Sequence, residues 1–249
     1  MFLMLLSGNT VLVTGGASGI GLALAERFLK SGNHLIICGR RESRLAEMKA
    51  KYPSIETRVC DVGESHQRED LVKWVTTKFP GLDVVVNNAG IQRRVRIAEE
   101  RDWKATREEI AINLEAPVHL TMLLLPHLMK QRRAAIVNVT SGLSFVPFAG
   151  TPIYCATKAA IHSFTLSLRH QLTGSSVEVV EVIPPAVDTD LGGPGLHTFG
   201  VNVDEFADAA MKQISEGSQE ASYGFATEAS RASREKLDEM FRRMNQARQ

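Results

Sequence analysis

The 249-residue sequence has few cysteines, few aromatic residues and almost no net charge. Its three cysteines, Cys38, Cys60 and Cys155, are an odd number without metal-ligand spacing, which argues against a disulfide framework and a metal site. Cys38 and Cys60 each end a predicted strand and are interpreted as small buried hydrophobes, so we expect a reducing, cytoplasmic setting. A net charge of +1 gives no overall field that would attract nucleic acid or an anionic membrane.

Long apolar runs are also missing. No run approaches the roughly 20 residues that a membrane-spanning helix needs, so we predict no membrane segment. Residues 1–6 look briefly like a signal peptide, but they lack a basic region and lead directly into the apolar residues 11–13, so we reject that interpretation. We see no internal repeat or linker, and we therefore predict a single domain over residues 1–249.

Short apolar, β-branched runs alternate with helical patterns along most of the chain. Strands are predicted at 10–14, 34–38, 55–60, 83–87, 135–140 and 177–183. Helices are predicted at 22–32, from about 42 to 51, and at 64–79, 107–130 and 152–173, with kinks at Pro117 and Pro126. This alternation is typical of an α/β protein with a parallel sheet covered by helices on both faces, the doubly wound Rossmann fold.

The last third of the chain is less regular. Residues 184–203 are rich in glycine and proline and form either a substrate loop or a plain surface loop. A helix is predicted near 203–215, followed by a short apolar run at 221–225. A charged helix at about 229–247 carries an apolar stripe, Leu237, Met240, Phe241 and Met244, that we expect to dock onto the body or onto a partner subunit.

Tyr154 and Lys158 are the strongest catalytic candidates. They are four residues apart on a predicted helix, so both side chains lie on one face. A free tyrosine has a pKa of about 10, and a nearby ammonium group favours the phenolate, which lowers that pKa. Ser141 ends a predicted strand and can donate a hydrogen bond to a substrate oxygen. The alternatives are a surface Tyr–Lys pair and a serine that only caps a strand end.

A glycine-rich turn, residues 15–21, connects the first strand to the first helix. Its spacing is G-x-x-x-G-x-G, which either permits tight helix–strand packing or presents backbone N–H groups to an anion. Gly15, Asp61, Asn88, Ser141 and Pro184 all follow predicted strand ends. Because the carboxyl ends of parallel strands meet at one edge of a sheet, a single crevice can gather these residues.

Several of these motifs together resemble the short-chain dehydrogenase/reductase family. They are TGGASGIG at 14–21, NNAG at 87–90, Asn113, Ser141 and YCATK at 154–158, in the family's order. Residues 141–172 and 184–193 resemble the DltE-like subgroup of oxidoreductases, whose name supplies no substrate. The sequence departs from the family at Pro185, where a glycine is usual.

The resemblance implies an oxidoreductase that interconverts an alcohol and a carbonyl, with Tyr154 as acid/base and no metal. The implied catalytic residues are Asn113, Ser141, Tyr154 and Lys158, with Asn113 holding a water; a surface or capping asparagine is the alternative. The implied cofactor-binding residues are Thr14, Gly15, Ser18, Gly19, Ile20, Gly21, Arg40, Asp61, Val62, Asn88, Ala89, Gly90, Tyr154, Lys158, Pro184, Val187 and Thr189. The histidines on predicted helices, His162 among them, are interpreted as packing or surface groups.

The second strand ends in Gly39, Arg40 and Arg41, without a carboxylate before Glu42. An acidic residue at this place binds a ribose 2′-hydroxyl, whereas an arginine accommodates a 2′-phosphate. We therefore predict NADP as the cofactor, with NAD possible if the arginines only solvate a loop. Arg40 is the predicted phosphate contact.

Two other functions stay open: a cofactor-binding sensor without turnover, and an isomerase or epimerase that keeps its nicotinamide bound. We predict a small carbonyl or alcohol substrate of unspecified identity. A partly apolar pocket is expected from Phe145, Val146, Phe148, Ile153, Leu191 and Leu196. The helices at 107–130 and 152–173 are too apolar to leave in water, and the resemblance implies that they pair across a two-fold axis. A homodimer or homotetramer is therefore expected.

Overall fold

One parallel sheet of seven strands organises the protein. The computed structural model describes residues 6–99 and 102–246. The strands are β1 (Thr10–Thr14), β2 (His34–Gly39), β3 (Glu56–Val59), β4 (Leu82–Asn87), β5 (Ala134–Val139), β6 (Val177–Ile183) and β7 (Glu220–Ser222). Their order is β3-β2-β1-β4-β5-β6-β7, and every neighbouring pair is parallel. The predicted doubly wound α/β fold is confirmed.

Helices cover both faces of this sheet. They are α1 (Gly19–Lys30), α2 (Glu42–Lys51), α3 (Ser65–Lys78), α4 (Trp103–Ile110), α5 (Ala116–Leu128), α6 (Pro152–Gln171), α7 (Val203–Ser215), α8 (Phe225–Ser230) and α9 (Arg234–Gln246). Among these described helices, none combines the length and the apolar character needed to cross a membrane.

Alternation along the strands explains why there are two main cores. Val11 and Val13 of β1 face α1, α2 and α7, whereas Leu12 between them faces α3, α5 and α6. Successive side chains of a strand point to opposite faces, so a strand covered on both sides is apolar at every position. This double burial produces the continuous apolar runs that predicted the strands.

The helical segment before β5 differs from the prediction. Instead of one helix at 107–130, α4 begins at Trp103 and a π-helical turn, Ala111–Glu115, separates it from α5. Asp102 caps α4 by accepting a hydrogen bond from Ala105 N at 3.1 Å. Pro117 lacks the N–H that would pair with the carbonyl four residues earlier, so the α-helical ladder is interrupted there and a wider turn takes its place.

The C-terminal helix starts later than predicted, at Arg234 instead of about residue 229. The short helix α8 precedes it, and residue 247 lies outside the described residues. Met240 is buried and packs with Val146 in a third, small cluster to which Leu237 and Met244 also contribute. The expected docking of the apolar stripe onto the body is therefore confirmed, except that Phe241 is largely exposed.

Candidate active site

A cleft of about 1570 Å³ opens at the carboxyl end of the sheet. It is lined by all the predicted catalytic and cofactor-binding residues except Thr14 and Asn113. The strand-end residues Gly15, Asp61, Asn88, Ser141 and Pro184 meet there, as the parallel topology requires.

The glycine turn between β1 and α1 is shaped by close backbone contacts. Gly15 and Gly19 have φ angles of 66° and 54°, the left-handed region that glycine tolerates best. A Cβ atom on Gly21 would lie 2.2 Å from Asn88 Nδ2, so only glycine fits there. No acidic residue lies in the first turn of α1, which the structure describes in full, and Ser18 makes no side-chain cap. The turn therefore leaves backbone donors and the positive helix end for an anionic group.

Thr14, a predicted cofactor contact, does not line the cleft and makes structural hydrogen bonds. Its buried hydroxyl accepts hydrogen bonds from Asn88 N and Ala89 N, both at 3.0 Å, and donates to Val86 O at 3.3 Å. Asn88 Nδ2 in turn donates to Thr14 O at 2.9 Å. These bonds hold the end of β1 against the segment after β4, which places the Asn88–Gly90 backbone in the cleft.

Open space adjoins the arginines that follow β2. A Cβ atom on Gly39 would meet no described atom within 4 Å. Arg40 Nη1 lies 2.9 Å from Glu108 Oε1 and 3.6 Å from Asp61 Oδ2. Arg41 Nη2 donates to Ser18 Oγ at 2.6 Å, so it adjoins the glycine turn directly. Arg40 is the predicted phosphate contact, whereas the partners of both arginines come from distant segments and were not predicted.

Ser141, Tyr154 and Lys158 lie together and are almost fully buried. Ser141 follows β5 with an extended backbone and begins the short 3₁₀ turn Gly142–Ser144, whose Leu143 N donates to Ser141 Oγ at 3.1 Å. Tyr154 and Lys158 occupy the first two turns of α6, and the Ser141 hydroxyl lies close enough to Tyr154 to affect its pKa.

The pKa values of Tyr154 and Lys158 differ from the expectation that Lys158 lowers the pKa of Tyr154. Burial raises the pKa of Tyr154 well above its ordinary value, and the nearby Ser141 hydroxyl offsets this only in part. Lys158 Nζ donates to Val139 O at 2.7 Å and lies 5.7 Å from the centre of the Tyr154 ring. Burial lowers the pKa of Lys158 to about 8. The structure therefore does not show Lys158 lowering the pKa of Tyr154.

Asn113 lies in the π-helical turn, behind the cleft wall. Its Oδ1 accepts from Ile91 N at 2.9 Å, and its Nδ2 donates to Ile91 O at 2.7 Å. A longer bond of 3.3 Å reaches Thr157 on α6. The side chain therefore fixes the segment after Gly90. Gly90 itself is close to Lys158, because a Cβ atom on Gly90 would lie 3.7 Å from Lys158 Nζ.

The far end of the cleft, lined by the 184–203 loop, α8 and α9, contains residues that were not predicted from the sequence. Val187 and Val201 form an isolated parallel bridge at the base of the 184–203 loop. Of the six residues expected in an apolar pocket, Phe148, Leu191 and Leu196 line the cleft, but Phe145, Val146 and Ile153 do not. The residues that were missed include Phe225, Met240, Arg243 and Met244, from α8 and α9. The apolar stripe of α9 indicated docking, but nothing local indicated docking beside the cleft.

Metal ligands are not clustered in the described part of the chain. Within residues 6–99 and 102–246, no group of three or more His, Cys, Asp or Glu side chains is placed to hold a metal ion. The polar side chains that line the cleft are hydroxyls, amides, arginines, two lysines, several carboxylates and His197.

Known proteins are similar to this one in sequence and in fold. The protein is 48% identical over 248 residues to the uncharacterized oxidoreductase DltE of Bacillus subtilis (strain 168), a match that covers 97% of this chain and 98% of the relative. A short chain dehydrogenase from Burkholderia cenocepacia J2315, solved in complex with NADP, is 25% identical with a TM-score of 0.83 and covers 96% of this chain and 99% of its own.

A short chain dehydrogenase/reductase from Burkholderia phymatum, solved in complex with NAD, has the same fold, with a TM-score of 0.79 at 21% identity. That match covers 89% of this chain and 90% of the other. Residues 9–197 also match the short chain dehydrogenase family model. The chain therefore belongs to the short-chain dehydrogenase family of oxidoreductases.

Proposed function

We propose that the protein is an NADP(H)-dependent oxidoreductase that interconverts an alcohol and a carbonyl. The observation that carries this proposal is the burial of Ser141, Tyr154 and Lys158 together, in the cleft into which the glycine turn also opens. A hydroxyl, a phenol and an amine in one desolvated site suit proton exchange with a substrate oxygen.

The residues around the cleft fit a dinucleotide. The glycine turn would receive its phosphates, because it lines the cleft at the start of α1 and no acidic residue in the first turn of α1, a fully described helix, opposes an anion. Asp61 and Val62 would border the adenine, and Asn88 to Gly90 the ribose. When bound, the nicotinamide group supplies the hydride.

The remaining chemistry belongs to the protein's own side chains. Ser141 would donate a hydrogen bond to the carbonyl oxygen, and Tyr154 would give that oxygen its proton. Because burial raises the pKa of Tyr154, this residue is a neutral phenol near pH 7, the form that donates a proton in carbonyl reduction. Lys158, with a pKa of about 8, can hold a replacement proton close to the site.

The preference for NADP rests on the segment after β2. Gly39 leaves room where an acidic side chain would repel a 2′-phosphate, and Arg40 and Arg41 provide charged, forked donors beside that room. A bound phosphate would compete with Glu108 for Arg40. The alternative is that both arginines are used by their protein partners and either nucleotide is accepted.

A panel of aldehydes and ketones, assayed with NADPH and with NADH, tests the nucleotide preference. We expect the ratio of kcat/KM with NADPH to that with NADH to exceed about ten, equivalent to about 1.4 kcal/mol. Gly39→Asp combined with Arg40→Ala should reverse the ratio. Arg44→Ala is the matched control, because Arg44 is exposed and, among the described residues, its ion pair is with Glu47 on the same helix. Equal efficiency with both nucleotides would show that these arginines do not select the phosphate.

Tyr154→Phe tests the catalytic assignment with the same substrates. The variant should bind NADPH nearly as well as the unmodified protein and turn over at least roughly a hundredfold more slowly, the usual effect of removing a positioned acid. Nucleotide binding without turnover of any carbonyl by the unmodified protein would favour a sensor. Substrate conversion without net nucleotide oxidation would favour an isomerase or epimerase.

A further inference from the structure

A buried polar network adjoins the strand end that carries Ser141. At its centre is Glu181 on β6, which is completely shielded from solvent. Glu181 Oε1 accepts a hydrogen bond from Thr140 Oγ1 at 2.6 Å. The ring nitrogen His162 Nδ1 lies 3.0 Å from the same oxygen and 2.9 Å from Oε2. Both carboxylate oxygens are therefore engaged.

His162 connects this network to the catalytic helix. It is one helical turn beyond Lys158 and two beyond Tyr154, so the three side chains follow one face of α6. The hydrogen bond to Glu181 raises the pKa of His162, against the effect of burial; Glu220 on β7 acts in the same direction and Arg169 on α6 opposes it. When His162 is protonated, it forms an ion pair with Glu181 beneath the site.

Ser141 is held from both sides by β6, the strand that carries Glu181, and by the residue that follows it. Before it, Thr140 N donates to Val182 O at 2.9 Å; after it, Gly142 N donates to Pro184 O at 2.8 Å. The 3₁₀ turn that Ser141 begins ends at Phe145, whose ring packs edge-on against His162 with centroids 4.6 Å apart. The network therefore touches the residue before Ser141 and the end of the turn after it.

Stability alone is a weak reason for such a pair. Burying a carboxylate and an imidazolium is costly, and well-packed apolar residues of similar volume are often at least as stabilising. What the pair adds is a fixed geometry, because its hydrogen bonds are satisfied in one arrangement of β5, β6 and α6 only.

We propose that Thr140, His162 and Glu181 are positioning residues that fix the hydroxyl of Ser141 relative to Tyr154. This inference rests on the proposed function of that site. Thr140 is the most direct link, because it is bonded to Glu181 through its side chain and to Ser141 through the peptide bond. A small displacement of a hydrogen-bond donor in an active site lowers the rate much more than it lowers affinity.

Three threonine variants test the proposal. Thr140→Val removes the hydroxyl and keeps the shape, whereas Thr140→Ser keeps the hydroxyl. Thr165→Val is the matched control: Thr165 is equally buried and lies on α6, and its Oγ1 accepts from Asn138 Nδ2 at 2.9 Å instead of bonding to Glu181. Thr140→Val should lower kcat about tenfold and leave the Kd of NADPH within about twofold. For Thr140→Ser and Thr165→Val, kcat and the Kd of NADPH should both stay within about twofold of the unmodified protein.

A second measurement does not depend on activity. In the full-length protein, hydrogen exchange at the amides of Gly142 and Leu143 should be faster in Thr140→Val than in Thr165→Val, and normal in Thr140→Ser. If the unmodified protein turns over and Thr140→Val matches Thr165→Val in kcat and exchange, the positioning role is refuted. If the unmodified protein turns over no carbonyl, the proposed function fails, and the exchange rates alone decide whether the network fixes Ser141.

Discussion

Replacing Lys158 with Met should stabilise the fold while it removes activity. Burial lowers the pKa of Lys158 from 10.5 to about 8. A shift of that size corresponds to a penalty of about 3 kcal/mol on the folded state when the amine is charged. Losing the hydrogen bond to Val139 O offsets about 1 kcal/mol of the gain. The net gain of about 2 kcal/mol should raise Tm by about 4–8 °C at this chain length.

The pH dependence of this gain identifies its cause. Below the folded-state pKa of about 8 the amine is charged in both states and the penalty is complete. As the pH rises from about 8 towards 10.5, only the unfolded state keeps its proton, so the penalty fades. Melting curves should therefore show a large difference in Tm between Lys158→Met and the parent protein at pH 6.5, and a smaller difference at pH 10.

Lys73→Met is the control for that experiment, because Lys73 is exposed on α3 and should show no such gap at either pH. The reasoning is refuted if Lys158→Met melts below the parent at pH 6.5, or if the gap is the same at both pH values. A variant that is more stable but still turns over would show instead that Lys158 is not needed for the reaction.

Other expectations concern a second buried charge, the glycine turn and assembly. Burial raises the pKa of Asp83 to about 6, so its charged form destabilises the fold as the pH rises from 3.8 through 6. Asp83→Asn keeps an acceptor for Thr10 N. This variant should raise Tm at pH 7.5 but hardly at pH 4. Gly21→Ala places Cβ 2.2 Å from Asn88 Nδ2 and should abolish nucleotide binding in a titration, whereas Gly39→Ala, with open space around it, should not. Light scattering at micromolar concentration should give a dimer or tetramer mass, and a monomer would contradict the expected pairing of the apolar helices.

Strands β1, β2, β4, β5 and β6 were predictable because they are mostly buried on both faces, whereas β3 is partly exposed. The run at 177–183 and the helix at 203–215 have the predicted bounds, since solvent-shielded strands and amphipathic helices leave their period in the sequence. The π-helical turn around Asn113 was not predicted, although Pro117 signalled an irregularity nearby. Helix α8, six residues long, is too short to show a helical period.

The candidate site was predictable in composition but not in electrostatics. Spacing placed Tyr154 and Lys158 together, but their proton affinities depend on burial beneath distant elements, which no local pattern reveals. No local pattern reveals the environment of Arg40 either, because its partner Glu108 is 68 residues away in sequence. The interpretation of His162 as a packing group missed its buried partner Glu181, which comes from another strand.

The third hydrophobic cluster beneath α9 has a consequence for the order of events in a turnover. Only three residues of that cluster, Val146, Ala229 and Met240, are fully buried, whereas the cores that support the glycine turn are far larger. A helix held by so few apolar contacts opens at a lower free energy than the whole fold does. Met240 and Met244 line the cleft, so we expect a local opening of α9 to expose that part of it while the glycine turn stays folded. We therefore expect ordered kinetics, in which the nucleotide enters first and leaves last, and the smaller molecule comes and goes beneath α9.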